Sequence, residues 1–397
     1  MSTLAVPGFV EEVRRYGKFD ANACLNCGSC TIVCNLSDGH ASFPRRPMQL
    51  TLLGLKERLH ESLDPWLCHD CGDCSTTCPR QAEPRESMMT LRRYLVGKYD
   101  FTGLASRILR SKAWELVAIS FVAAFVFALV ILYHVYYVEL ALPDFISTSM
   151  GLEHMFNTII YFTAVVFLIP ILIMVTNAIR MHRFTMGGKS GGRIPLRLYV
   201  VEAKTMFAHL VSHQNIRKCM AAIHRRRWAK HWLLGLGCSL MCIITVFFLK
   251  WFQTDNIYPI YHPQRWLGYL ATAILIYVPA EIIIGRIKRR EEMHKFSMIS
   301  DLTLPIMFLL VAVSGIAVHI FRYLEFTMAC HYAYAIHIAI TVPLLIVEMP
   351  FGKGAHAIYR PLALYFQAIR ERAAAEAQPS SDVQPAAELT LKGTQTA

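Results

Sequence analysis

From about residue 113 onward the chain is built of six apolar runs separated by polar stretches, at 113–138, 155–179, 232–252, 266–286, 302–322 and 332–350. Each is near the roughly 20 residues that a helix needs to cross a bilayer. No water in the hydrocarbon satisfies an open backbone, so the runs are predicted to be helices. Trp114, Trp232, Trp251 and Trp266 fall at their ends, where amphipathic rings settle at headgroup level. Upstream the pattern is different. Phe9, Val13 and Tyr16 stand near helical spacing, and Met48, Leu52, Leu55 and Leu59 recur at i, i+4, i+7 and i+11, the stripe of one amphipathic helix. Glu86 to Tyr94 continues as helix, 97–112 reads as a basic linker, and the Ala/Gln/Pro/Ser-rich stretch 373–397 reads as a disordered tail.

Composition agrees with a membrane protein: 54% of the 397 residues are hydrophobic and only 17% charged. The net charge of +12 would suit nucleic acid if it were spread over a surface, but Lys and Arg gather beside the apolar runs, so no nucleic-acid partner is expected. Twelve lie between Arg180 and Lys230 and five between Arg286 and Lys295. The connection from Glu139 to His154 has none, and the other two on that side hold Lys250, Arg265 and Arg322. The positive-inside rule puts both termini and the 180–231 loop in the cytoplasm, with the chain in the cytoplasmic membrane in contact with lipid.

Eight of the twelve cysteines form two copies of one signature, Cys24-x2-Cys27-x2-Cys30-x3-Cys34 and Cys68-x2-Cys71-x2-Cys74-x3-Cys78, the second followed by Pro79 and the first by Asn35. Three closely spaced thiolates wrap one face of a cubane, and the fourth reaches the neighbouring cluster. The expected ligand sets are therefore crossed: Cys24, Cys27, Cys30 and Cys78 on one [4Fe-4S] cluster, and Cys68, Cys71, Cys74 and Cys34 on the other. Disulfides need an oxidising compartment, and 1–18 does not look like a signal peptide; zinc would leave the third cysteine of each triplet surplus. The room between the motifs and its helical pattern favour an α-helical ferredoxin over a β-hairpin one. The fold class is thus all-α, with a di-cluster ferredoxin over 1–96 and a six-span, cytochrome b-like bundle over 113–372.

Ionisable groups inside membrane helices are costly and mark function. His337 lies near the outer end of the sixth run and His356 just past its inner end. Nineteen residues apart on one helix they would be separated by roughly 28 Å, which suits two stacked haems rather than one, with a bulge near Pro343 or Pro350 correcting the rotation. A b-type haem between two histidines needs a partner on a facing helix. For His356 that is His231, at the start of the third run. For His337 the candidates are His319, His134, His154 and His262, with His319 favoured. Glu281 and Glu348 either move protons for a quinone or pair with basic neighbours. His209 and His213 stand at i, i+4 with Cys219 beyond; a surface helix on the membrane or a partner is favoured over a metal pair. Cys238, Cys242 and Cys330 read as buried apolar residues.

Phe43-Pro44-Arg45-Arg46, Trp66-Leu67-Cys68-His69-Asp70-Cys71-Gly72-Asp73-Cys74 and Cys78-Pro79-Arg80 resemble the C-type iron–sulfur subunits of heterodisulfide reductases. Pro350-Phe351-Gly352-Lys353-Gly354-Ala355-His356 with Tyr359-Arg360 resembles cytochrome b subunits related to the gamma subunit of respiratory nitrate reductase. The fusion of the two is similar to the C-type subunits (QmoC) of the quinone-interacting membrane-bound oxidoreductases (Qmo). A membrane protein of tricarballylate oxidation shares the same ending. The resemblance implies one or two haem b, menaquinone from the quinone pool, flavin-containing heterodisulfide reductase A-like subunits, and adenylylsulfate reductase downstream. It carries His356 and His337 as haem ligands. Met241 and Cys242 stand where the nitrate-reductase pattern would place a second histidine on the third run. The chain is therefore read as an electron-transfer subunit of a quinone-dependent oxidoreductase; the alternative is a membrane anchor and iron–sulfur relay without haem.

Overall fold

The computed structural model describes residues 4–37, 42–133, 135–136, 156–187, 194–213, 222–252, 256–291, 294–295 and 300–377. Among these there is no strand, and the chain is all-α. His134, His154, Cys219 and the tail beyond 377 lie outside the described residues.

The N-terminal part is a set of short helices around one long one, Pro84–Tyr99. Met88, Leu91, Tyr94 and Leu95 on that helix are fully buried. Tyr94 is the hub: Phe9 and Tyr16 meet its ring edge-on at 5.6 and 5.5 Å, and its hydroxyl bonds His60 Nε2 at 2.9 Å. Burial pushes His60 down to about 4, so the ring is neutral there. The stripe from Met48 to Leu59 is not one helix. Arg45–Leu52 ends, Gly54 turns the chain at φ +69, and Lys56–Glu61 begins anew. The N-terminal segment causes the break: Val6 N–H donates to Gly54 O at 2.9 Å, and a Cβ on Gly54 would lie 2.7 Å from Val6 O. Met48 and Leu59 keep their place in the core while Leu52 is exposed.

Among the described residues six helices are long and apolar enough to cross a membrane: Lys112–Tyr133, Asn157–Met186, Arg225–Phe247, Arg265–Ile287, Asp301–Tyr323 and Thr327–Phe351. Phe121, Tyr161, Leu172 and Phe247 point outward with large exposed surfaces, as lipid-facing side chains do. The first span packs on the sixth, the sixth on the fifth, the fifth on the fourth and the fourth on the third, and the sixth is the most buried. The third helix begins at Ala222, ten residues before the apolar run, and carries Arg225, Arg226 and Arg227 on its first turns.

The sixth span holds the expected bulge. Pro343 removes a backbone donor, and Leu344–Glu348 continue as a π turn. The helix then stops at Gly352, passes through the 3-10 turn Lys353–Ala355, and restarts as His356–Ala377. His356 therefore heads a separate helix, so the single-helix rise separating it from His337 does not apply. That last helix runs to Ala377, five residues into the stretch expected as tail, and residues 104–110 of the expected linker are helical.

One core joins the two parts. Trp66 and Tyr99 meet Tyr359 of the last helix at 5.3 and 5.5 Å between ring centres, and Tyr99 meets Phe184 at the end of the second span. Arg180 Nε on that span donates to Tyr99 O at 2.8 Å, satisfying a carbonyl left open at a helix end.

Candidate functional site

The two cysteine loops have the same local geometry. Asn26 and Asp70, each two residues after the first cysteine, sit at φ 58 and 59, and each donates its N–H to that cysteine's Sγ at 3.4 Å. Gly28 and Gly72, at φ +83 and +99, then open the short helices Ser29–Ile32 and Asp73–Thr76, which carry Cys30 and Cys74. Left-handed backbone at both positions curls three thiols around one volume. The two short helices pack on each other, which brings the loops together.

The fourth cysteines are placed across. Cys78 lines the same small cavity as Cys24, Cys27 and Cys30. Burial pushes Cys34 up to about 11, and the sulfurs of Cys68 and Cys71 add to the rise. Burial likewise raises Cys74, with Cys68, Cys71 and Cys34 as its charged neighbours; Cys30 is raised by burial and by Cys24, Cys78 and Cys27. Thiols crowded this way carry their charges only beside a cationic centre, which is the fit expected of a cluster site. Basic groups attend both loops: Arg45 lies beside Gly28, Arg85 Nε bonds Asp70 at 2.5 Å, and Arg92 donates to the carbonyls of Pro65, Trp66 and Cys68. Among the described residues no three His, Cys, Asp or Glu converge on a single-ion site. The loops differ in exposure. Cys27, Leu25 and Ile32 face outward, whereas Cys68 and Cys74 are buried.

The second loop rests on the membrane part. Arg227 Nη1, on the third helix, donates to Asp70 O and Cys71 O at 3.3 and 3.4 Å, and Arg360 Nη2 donates to His69 Nδ1 at 3.1 Å. Four residues before Arg360 stands His356, at one end of an apolar cavity of about 940 Å³ among the spans. That is toward the upper end of the usual range for cofactor sites, about 300–1,000 Å³. His213, His231, His331 and His337 also line it.

His231 and His356 face each other with ring centres 6.1 Å apart. Two metal–imidazole bonds of about 2 Å, with half a ring at each end, span about that distance. The Nδ1 of His356 donates to the Lys353 carbonyl, which leaves Nε2 as the free lone pair. Burial holds His356 down to about 4, so it is the neutral, ligating form. His231 Nδ1 is buried without a partner. The residues thus fit an iron porphyrin bound by two imidazoles.

A third ring, His213, lies 4.8 Å from His231, over Gly235, where a Cβ would meet it at 3.4 Å. The surface-helix reading of the 180–231 loop kept His213 on one helix face with His209; instead the helix Leu196–Ser212 ends before it, and His213 stands at its end at φ 50, against a histidine eighteen residues further on. That helix is nevertheless amphipathic, with Leu196, Val200 and Phe207 exposed and Leu198 buried, and Trp228 and Trp232 donate to its last carbonyls at 2.8 and 2.9 Å.

His337 lines the cavity, its Nδ1 3.0 Å from Ser314 Oγ, with Gly315 giving it room. His319 is hydrogen-bonded to the fourth span. Arg265 donates to its Nδ1 at 2.9 Å, so its Nε2 carries the proton and donates to the Tyr269 hydroxyl at 2.9 Å. Both nitrogens of His319 are thus engaged by these neighbours. His262 stacks on Tyr258 instead. Cys238 and Cys242 line the cavity, whereas Cys330 is buried in a packed cluster. Of the two carboxyls, Glu281 pairs with Lys230 at 2.6 Å and Arg290 at 3.4 Å; Glu348 is fully buried.

Comparison with known proteins assigns both parts. The family described as citrate utilization protein B matches residues 154–378, more than half of the chain, where the sequence resemblance pointed to nitrate-reductase-type cytochrome b. A 4Fe-4S dicluster domain matches residues 20–82. A protein of Archaeoglobus profundus, named as similar to the C-type subunits of heterodisulfide reductase, is 31% identical over 102 residues, 25% of this chain and 54% of that protein. The second C-type iron–sulfur subunit of the CoB–CoM heterodisulfide reductase of Methanocaldococcus jannaschii is 36% identical over 92 residues, 21% of this chain and 49% of its own. The chain spans about half the length of the curated relatives it matches. No solved structure matches.

Proposed function

Because the chain belongs to the citrate utilization protein B family and carries a 4Fe-4S dicluster domain, we propose that it is a membrane electron-transfer subunit linking the quinone pool to a soluble flavin and iron–sulfur partner. His231 and His356 would hold a haem b, and the two cysteine sets two [4Fe-4S] clusters, which together would supply a one-electron path. The cluster of Cys68, Cys71, Cys74 and Cys34 is the nearer; that of Cys24, Cys27, Cys30 and Cys78, with Cys27, Leu25 and Ile32 turned outward, meets the partner. The observation that carries the reading is the contact of Arg360 with His69, which ties the His231/His356 end of the cavity to the second cysteine loop. A bound haem supplies one-electron chemistry matched to the clusters. The protein's own part is to orient His356 through the Lys353 carbonyl, keep its ring neutral, and exclude water with an apolar wall. His337 marks the far part of the same cavity, for a second haem or for menaquinone.

Two settings suit such a protein. In sulfate respiration the partner would be a flavoprotein of the heterodisulfide reductase A-like kind, with adenylylsulfate reductase beyond it. The family match over residues 154–378 favours the second, in which the chain takes electrons from the oxidation of a tricarboxylate of the tricarballylate type by a separate flavoprotein. In either setting the clusters are cytoplasmic.

Reduced-minus-oxidised spectra of the purified protein test the haem. His231→Ala and His356→Ala are each expected to lose the inner haem's α-band, and His337→Ala to keep it. If His231→Ala and His356→Ala both keep the wild-type band and midpoint potential, neither is a ligand. If the wild type has no Soret band, the chain is an iron–sulfur anchor.

A further inference from the structure

The ends of the first and sixth spans nearest the cysteine loops bury two carboxyl groups side by side. Glu348 closes the π turn Leu344–Glu348, has no exposed surface, and neither carboxyl oxygen has a hydrogen-bond partner. Gly352 lies against it: a Cβ there would run into the Glu348 carboxyl. Glu115 of the first span, 4% exposed, faces it. The second span carries no charged residue between 157 and 179. Lys353, five residues on from Glu348, turns its ammonium to Asp301 at the start of the fifth span and also bears electrostatically on Glu115.

Asp301 begins a chain of buried ion pairs that ends at the second cysteine loop. It also takes Arg93 Nη2 at 3.6 Å and Arg286 Nη1 at 3.7 Å. Arg93 reaches Glu86 at 3.6 Å, Glu86 takes Arg85 at 3.2 Å, and Arg85 holds Asp70 at 2.5 Å, between Cys68 and Cys71. Each carboxylate in this series has at least one cation against it. Glu348 has none among the described residues. Two adjacent carboxylates away from water repel each other's charge, which is the usual setting for a shared proton. When negative charge arrives at the far end of the series, it makes each acid along the way harder to ionise, and the least compensated one takes the proton.

We propose that Glu348 and Glu115 form a proton-holding site whose occupancy follows the redox state of the cluster on the Cys68 to Cys74 loop. One proton is shared by the pair while the cluster is oxidised. As the cluster accepts one electron from the reduced flavin of its partner, one proton from cytoplasmic water forms an O–H bond on the remaining carboxylate; when the electron leaves for the quinone pool, the proton returns to water. The proposal rests on the cluster assignment above and is independent of the haem.

The test is redox-difference infrared spectroscopy on the full chain with its clusters, in H2O and D2O with dithionite as reductant, beside an EPR redox titration at several pH values. The wild type should gain a deuterium-sensitive carboxylic acid band on reduction, and the cluster potential should fall as pH rises. Glu348→Gln, a neutral isostere, should lose both the band and the pH dependence; Glu348→Asp should keep them. Glu115→Gln should lose the resting band of the shared proton. A wild type with no band that Glu348→Gln removes, or with a band indifferent to reduction and a pH-independent potential, overturns the site. An EPR spectrum that Cys71→Ser leaves unchanged overturns the cluster assignment instead, and the coupling with it.

Discussion

Cys34 and Cys78 each follow their own triplet by four residues, yet the fold turns each toward the other triplet: Cys78 lines the cavity of Cys24, Cys27 and Cys30, and the sulfurs of Cys68 and Cys71 bear on Cys34. Cys34→Ser is therefore expected to perturb the EPR signal of the cluster built on Cys68, Cys71 and Cys74. Damage confined to the other cluster would show that the ligation is not crossed. The crossing is the expectation from spacing, because a loop of two-residue gaps dictates which thiols share a face. The histidines are less legible. A ring's value as a ligand depends on which nitrogen is free, and that is decided by partners far along the chain. Arg265 and Tyr269 engage His319 across 54 and 50 residues, while the Lys353 carbonyl, three residues away, frees Nε2 of His356.

Elements follow the sequence where one periodic pattern runs uninterrupted, and depart from it where another segment intrudes. The stripe from Met48 to Leu59 is split because Val6 pairs with Gly54 at φ +69. An L-residue in that conformation costs about 1–2 kcal/mol. Gly54→Ala would also press a methyl onto Val6 O, at 2.7 Å. It should lower the stability of the cluster-bearing part by about 2 kcal/mol or more, measured as earlier thermal loss of cluster absorbance. An unchanged midpoint would mean that the N-terminal segment does not hold this turn. The π turn at Leu344–Glu348 is the opposite case: Pro343 announces a disturbance, but only packing against the first, second and fifth spans decides that the helix widens there rather than kinks.

At the scale of the molecule the distribution of Lys and Arg predicts the sides of the membrane. Seventeen in the two basic connections stand against three on the other side. Reporters fused at either terminus should be active only as cytoplasmic fusions, and an alkaline phosphatase fusion at the C-terminus should be silent. An active one would reverse the topology and place the cysteine loops in the periplasm. The basic residues have a second use. Arg227, one of the seventeen, and Arg360, beyond the sixth span, both hold the Cys68 loop against the membrane helices.

By itself the sequence determined what depends on local order: six helices long and apolar enough to span a bilayer, two four-cysteine loops, and the basic connections, because hydrophobic length, ligand spacing and loop charge act over a few residues to a few turns. Tertiary structure decided what depends on other segments: the splitting of a helix at Gly54, the restart of the chain at His356, the meeting of His213, His231 and His356, and the approach of Glu115 to Glu348. Those arrangements arise from packing between separate helices or, for Gly54, from a backbone pair with the N-terminal segment, and no periodicity within a segment encodes which other segment will lie against it.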